Sequence, residues 1–322
     1  MNRDVIELFL RFYSATYTRH FLEAHYEKNG VDEATSKSYQ LSYPFIYYLH
    51  HGELYFKQAS IAPIALKPIL LFYGLVQFIK GCLLTRDPDY PKNSQVLAHG
   101  VSTRKRKKAS YQFLMDEVKT QKHGLFGHFL DKMFHVKHKE NEKYSMKQLL
   151  YHVADMHELF AAIDGQPISY IGKRCGETLI FSNKLLDDYH MTPKRFAQYL
   201  QSFENNDYDD TKPIVEKEES VIIPVTFPLT SGAPWRLASD GTPHLLKTKE
   251  VTDRCTLPDI AIHYLLLYNL SMICRYEIEW WGELIRTFDG TDYPYISHYL
   301  KIAERIIPKL IDDFLQTDRG GL

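Results

Sequence analysis

The chain has 322 residues, 44% apolar and 25% charged, with a formal net charge of −1. That length buries a substantial core, and the composition is that of a globular protein, which excludes long disorder. Near-neutral charge argues against a dedicated nucleic-acid binder, although 23 Tyr, 18 Phe and 3 Trp make the chain unusually aromatic.

Apolar residues at three-to-four spacing predict a first helix over Val5 to Tyr26, ended by Asn29-Gly30. Asp32 is the expected cap of a second helix, which Pro44 should break or kink. Ala65 to Thr85 is the strongest helix of the first half. It has Pro68 near its start and is apolar nearly all round, as a helix in the middle of a core is. A loop with His99-Gly100 and five consecutive cations, Arg104, Lys105, Arg106, Lys107 and Lys108, follows. Tyr111 to Lys122 reads as a short helix or strand, and Gly124 to Asn141 carries no clear pattern. Ser145 is placed to cap an amphipathic helix through Phe160, ended by Asp164-Gly165.

Pro167 to Phe181 and Ser220 to Phe227 read as strands, with Pro224 at an edge or bulge. Thr192-Pro193 starts a short helix between them. From Leu257, with Pro258 at its first turn, an apolar run through Ile285 predicts a second core helix. Tyr295 to Leu315 forms one or two more helices, with Pro308 as a break or kink. The expected fold class is mainly α. An N-terminal helical region (1–165) and a C-terminal one (251–322) pack together as one composite core, with a small β-containing insert at 166–250 (α+β). Neither apolar helix tolerates water all round, so the two should pack against each other.

Met1 to Glu7 lack the basic n-region and long apolar run of a signal peptide, so a secretory leader is not expected. The apolar stretches Pro68 to Ile79 and Ile260 to Cys274 fall short of the roughly 20 residues a membrane span needs. The four cysteines are far apart and form no C-x-x-C pair, which fits a reducing compartment. A cytoplasmic location without membrane contact is the expectation.

The segments Lys67 to Leu75 and Leu257 to Glu277, with Leu97-Ala98-His99-Gly100 between them, resemble the YaaC-like family of bacterial proteins. The resemblance spans most of the chain and rests most on the two long helices. It implies no established activity. Genes of the family commonly adjoin the gene for IMP dehydrogenase, so the resemblance points to that enzyme as a candidate partner and to purine nucleotide metabolism.

Several constellations bear on function. The Arg104–Lys108 run, with His99 nearby, is either an anion- or partner-binding patch or a solvated loop. His263, Tyr264, Tyr268, Asn269, Arg275 and Glu279 lie in or beside an apolar helix, where buried polar groups must be paired. Arg275 and Glu279 have the spacing of an ion pair on one helix face. The six form a core polar pocket for a small molecule or a purely structural network. Arg19 and His25 match the R-x(4–6)-H spacing of HEPN-type ribonucleases, but on the first predicted helix rather than late in the bundle. His135-x-x-His138 lies among too many lysines to favour a metal, and no metal or cofactor is expected. Nucleotide-binding, hydrolase-elbow and zincin motifs are all missing from the sequence. The leading expectation is a non-enzymatic interaction protein that modulates a partner. RNA binding through the basic patch and nucleotide sensing at the core pocket stand as alternatives.

Overall fold

The computed structural model describes residues 8–103, 111–137, 139–203, 207–229, 232, 234–247, 255–288 and 290–317. The fold is mainly α with small antiparallel sheets. The chain divides into two compact units, one built from 1–146 and 263–322, the other from 147–262.

In the first unit, a short 3-10 turn Leu10–Tyr13 precedes the helices Ala15–Lys28, Ala34–Ile61 and Lys67–Arg86. The expected first helix is thus interrupted. Ser14 turns to extended backbone and accepts a hydrogen bond from the Tyr17 N–H at 3.2 Å, so helical structure restarts there with its own cap. Asp32 does not cap the next helix; Glu33, in left-handed conformation, precedes it without a side-chain cap. Helix Ala34–Ile61 runs unbroken past Pro44. The proline's missing N–H removes the usual helical donor to the Gln40 carbonyl, and Gln40 is exposed.

Ala34–Ile61 and Lys67–Arg86 form a tight antiparallel hairpin. A Cβ on Gly52 would stand 2.5 Å from the Phe78 ring, and one on Gly74 2.7 Å from Phe56, so the absent side chains set the helix separation. Phe12 packs edge-on against Phe21 and Phe45, Phe21 packs tilted against Phe45, and the three close one side of this hairpin. The Lys67–Arg86 helix has the length and hydropathy of a membrane span, but 72% of it is buried within the fold.

Strands β1 (Val101–Thr103), β2 (Glu117–Thr120) and β3 (Lys143–Ser145) make a three-stranded antiparallel sheet. Strand structure before residue 166 therefore exceeds the expected insert. The unassigned stretch after Gly124 holds a helix, Leu125–Phe134. Two long C-terminal helices complete the unit: Asp259–Tyr276, from His263 onward, and Asp292–Thr317, which passes Pro308 without interruption. The two apolar helices meet as expected, with Phe72 edge-on to Tyr264 at 5.4 Å and to Tyr268 at 5.6 Å.

The predicted apolar helix through Ile285 is two helices, the second being Ile278–Thr287. Glu277 leaves helical geometry at φ −116°, ψ 51°. The break aims the Trp281 indole N–H at the Ala65 carbonyl, 3.2 Å away, which also accepts from Cys274 Sγ.

In the second unit, the predicted helix after Ser145 is likewise divided. Met146–Tyr151 is separated from His157–Asp164 by an extended Val153. The Tyr151 carbonyl, which a continuing helix would use, accepts from His157 Nε2 at 2.8 Å. Gly165 ends the second segment in left-handed conformation. Two antiparallel sheets follow. One has the order β4 (Ser169–Ile171), β10 (Pro243–Leu246), β9 (Trp235–Leu237). The other has the order β5 (Lys173–Cys175), β6 (Thr178–Ser182), β8 (Ser220–Pro224), β7 (Val215–Glu216). Pro224 is the last residue of β8 and lies beyond the reach of β7, where its missing N–H breaks no ladder. Helices Lys184–Tyr189 and Pro193–Gln201, the latter capped by Thr192, cover a core of Leu179, Phe181, Phe196, Val221, Ile223 and Trp235.

Candidate functional site

The sequence candidates separate into groups. Arg104 to Lys108 and His138 lie outside the described residues. Arg19 and His25 share the Ala15–Lys28 helix but not a site. Arg19 lies 5.2 Å over the exposed Tyr39 ring, whereas His25 is buried against Phe21 and bonds its carbonyl. The six residues of the proposed core pocket fall into four places. His263 stacks on Tyr299 and meets its hydroxyl at 3.1 Å. Asn269 donates to Asp116 at 3.0 Å, and Asp116 also accepts from Tyr111. Glu279 is exposed on the helix after the Glu277 break and makes no ion pair with Arg275, because the two no longer share a helix.

The remaining three, Tyr264, Tyr268 and Arg275, gather around His99. The loop carrying His99 is pinned by two glycines. Gly124, at φ 132°, crosses Gly100, at φ 75°, so closely that a Cβ on Gly124 would stand 2.3 Å from the Gly100 backbone. Around this crossing Leu125 N–H donates to the Ala98 carbonyl at 2.7 Å and Gln121 N–H to that of Gly100 at 2.9 Å. The His99 carbonyl accepts from the Tyr264 hydroxyl at 2.8 Å. The His99 ring then sits among Phe72, Tyr73 and Tyr268, at centroid distances of 5.0, 6.2 and 5.7 Å.

Two cations border this aromatic frame. Arg275, one face with Tyr268 on the same helix, donates to the Tyr73 hydroxyl at 3.2 Å and to the Ser271 carbonyl at 3.1 Å. Lys80 is half-buried, 6.0 Å over the Tyr48 ring. Neither has a carboxylate within ion-pair distance among the described residues. Burial lowers the Lys80 pKa. Burial also lowers that of His99, and the charges of Arg275 and Lys80 push it further down, so the imidazole is neutral at pH 7. Tyr90 adds a buried hydroxyl with no hydrogen-bond partner among the described residues; burial raises its pKa, and the nearby Tyr48 hydroxyl adds to that. Among the described residues the frame therefore offers aromatic faces, positive charge without a carboxylate partner, a neutral imidazole and the spare Tyr90 hydroxyl. That set suits binding of an anion attached to a flat ring, and supplies no activated nucleophile.

Sequence reasoning missed Tyr48, Tyr73, Lys80 and Tyr90. A signal existed: Tyr73, Gln77 and Lys80 form a polar stripe at helical spacing on a helix otherwise apolar all round. It also missed a cluster in the second unit. His157 Nδ1 lies 2.8 Å from Ser169 Oγ and 3.2 Å from His244 Nδ1, which is itself 3.1 Å from Ser169 Oγ. His157 Nε2 donates to Tyr151, which leaves Nδ1 as the acceptor. A chain from His244 N–H to Ser169 and from Ser169 O–H to His157 satisfies all three with both imidazoles neutral. All three side chains are buried, which makes this a structural network. Among the described residues no group of three or more His, Cys, Asp or Glu converges as a metal site requires.

A family model described as YaaC-like Protein matches residues 10–315 of the chain. No curated protein and no solved structure matches it.

Proposed function

We propose that this chain, which belongs to the YaaC-like family, is a cytoplasmic regulatory protein that acts by binding rather than by catalysis. It holds a small anionic ligand of the nucleotide kind at the His99 frame and modulates a partner protein. The observation that carries the reading is the pairing of Arg275 with the Tyr73 ring and of Lys80 with the Tyr48 ring, both cations without a carboxylate partner among the described residues. Cations left unneutralised at a half-buried aromatic surface are costly unless an anion completes them. Guanidinium on phosphate and ring on base is the combination nucleotides reward. The partner to test first is IMP dehydrogenase, to which the family resemblance pointed.

The test is thermal unfolding with GMP, IMP, GTP, ATP or inorganic phosphate. A ligand at 100 times its Kd adds about 2.7 kcal/mol of stability, so a purine nucleotide should raise the midpoint by several degrees. Arg275→Ala with Lys80→Ala should remove the shift. No shift with any nucleotide at millimolar concentration sinks the ligand reading. Failure of the purified protein to associate with IMP dehydrogenase, with or without nucleotide, sinks that partner.

A further inference from the structure

The outward face of the Ala34–Ile61 helix presents a second feature, independent of the His99 frame. Between Lys37 and Lys57 the only residue with a formal charge is Glu53, which is 3% exposed and accepts from the Tyr13 hydroxyl. In a chain that is 25% charged, a solvent-facing helix without surface charge over about five turns is exceptional. What this face shows instead is aromatic and aliphatic: Tyr39, Tyr43, Tyr47, Leu54 and Ile61 are 67, 56, 64, 48 and 77% exposed.

Gln40, Tyr43, Tyr47, His50, Leu54, Lys57 and Ile61 are all exposed and follow one another at alternating intervals of three and four. Any exposed helix face recurs at these intervals; what sets this stripe apart is that Tyr43, Tyr47, Leu54 and Ile61 fill four of its seven positions and no acid fills any, the composition of a helix-pairing seam rather than of a solvated face. Two open grooves flank it on one side. One, about 390 Å³, lies between Tyr13 and the Tyr47–Lys57 stretch, and the other, about 450 Å³, lies between Arg19, His20 and Tyr39.

We infer that this face pairs antiparallel with the same face of a second copy of the chain, about a two-fold axis at His50. The register follows from the seam. With His50 opposite itself, Tyr47 meets Leu54, Tyr43 meets Lys57, and Gln40 meets Ile61. Each polar end of the seam then faces a residue that can use it: the Lys57 ammonium lies over the Tyr43 ring, and the Ile61 side chain covers the Gln40 stem. A two-fold contact sets like residues near like, so charge on the seam would repel its own copy. The lack of acids and the single Lys57, offset from the axis, remove that penalty. A seam of about 22 residues is about 33 Å long. With the flanking grooves it covers on the order of 600 Å² per copy, the range in which specific dimers begin.

The test uses the full chain. Sedimentation velocity at about 1 to 100 µM should show a monomer–dimer equilibrium. Tyr43→Glu with Tyr47→Glu should weaken it at least ~100-fold while the far-ultraviolet spectrum and cooperative melting persist. Cross-linking decides the register. Among the native cysteines only Cys175 is exposed, so in a Cys175→Ser background His50→Cys should oxidise to an intermolecular disulfide. Ser60→Cys should not, since ten residues from the axis it stands about 30 Å from its copy. A monomer at 100 µM, a dimer indifferent to the two glutamates, or equal cross-linking from both positions overturns the inference. If the double variant fails to fold, the contrast between the two cysteine variants is sufficient to uphold or overturn it.

Discussion

At the scale of single residues the informative positions are buried polar groups whose partners are all visible. Arg236, 2% exposed, donates to the carbonyls of Leu257 and Cys255 and pairs with Asp259 at 2.7 Å. Removing it takes a buried guanidinium away from all three acceptors. Arg236→Ala should therefore cost about 3–5 kcal/mol, read as a lowered urea midpoint with unchanged slope; a loss under about 1 kcal/mol would show the network to be idle. His157 carries a pH dependence of definite sign. Burial lowers its pKa from 6.5 to about 4, with the neighbouring His244 adding to the shift and Asp155 opposing it. Above pH 6.5 the group is neutral folded or unfolded and contributes no slope. Between about 6.5 and 4 the unfolded chain binds the proton and the folded chain does not, so stability falls as the pH falls, by on the order of 3 kcal/mol. His244 is shifted in the same direction by burial. Urea midpoints at pH 7 and pH 4.5 test this; His157→Gln should flatten the acid limb, and an unchanged limb would place the loss elsewhere.

At the scale of elements, helix approach is set by what is missing. Ala34–Ile61 and Lys67–Arg86 touch through Gly52 and Gly74, whose added methyls would enter the rings of Phe78 and Phe56. Alanine normally favours a helix over glycine by about 1 kcal/mol. Gly52→Ala should nonetheless destabilise by about 1–3 kcal/mol, because a ring at 2.5 Å has to move within a packed core. A stabilised variant would show that the helices part freely. The same hairpin positions Tyr48 beside Lys80 and Tyr55 beside Tyr73, at 6.0 and 6.3 Å, so loosening it should also weaken nucleotide binding at the His99 frame.

For the molecule as a whole, the first unit is assembled from sequence-distant halves while 147–262 is continuous. The joining contacts are specific: Phe126 and Phe129 against Tyr264, the Phe113 N–H on Asp292 at 2.8 Å, Lys67 with Glu304 at 2.6 Å, Arg11 with Asp312 at 2.6 Å. Residues 1–146 expressed alone should lack cooperative unfolding, and co-expression with 263–322 should restore it and give a co-eluting complex. A cooperative melt from 1–146 alone would show that the C-terminal helices are dispensable to that core.

The mainly helical class, the two apolar helices and their meeting were determined by the sequence, because an element apolar on all sides has no stable alternative to burial. Local chemistry likewise announced the Thr192 cap, the Gly165 terminus and the strands around Phe181 and Ile223. Helix interruption was not legible. At Ser14 a cap and at Val153 an imidazole on the Tyr151 carbonyl compete with the helix ladder, whereas beyond the Glu277 break the Trp281 indole bonds the Ala65 carbonyl of another segment; the imidazole and the indole are placed by packing rather than by the local pattern. Of the candidate site, His99, Tyr268 and Arg275 could be named singly. Their convergence depends on the Gly100–Gly124 crossing and the helix pairing, which join residues up to 202 apart in the chain, as Arg275 and Tyr73 are. Periodicity reports which face of an element avoids water; only the tertiary fold decides which faces meet, and so which charges are left for a ligand to complete.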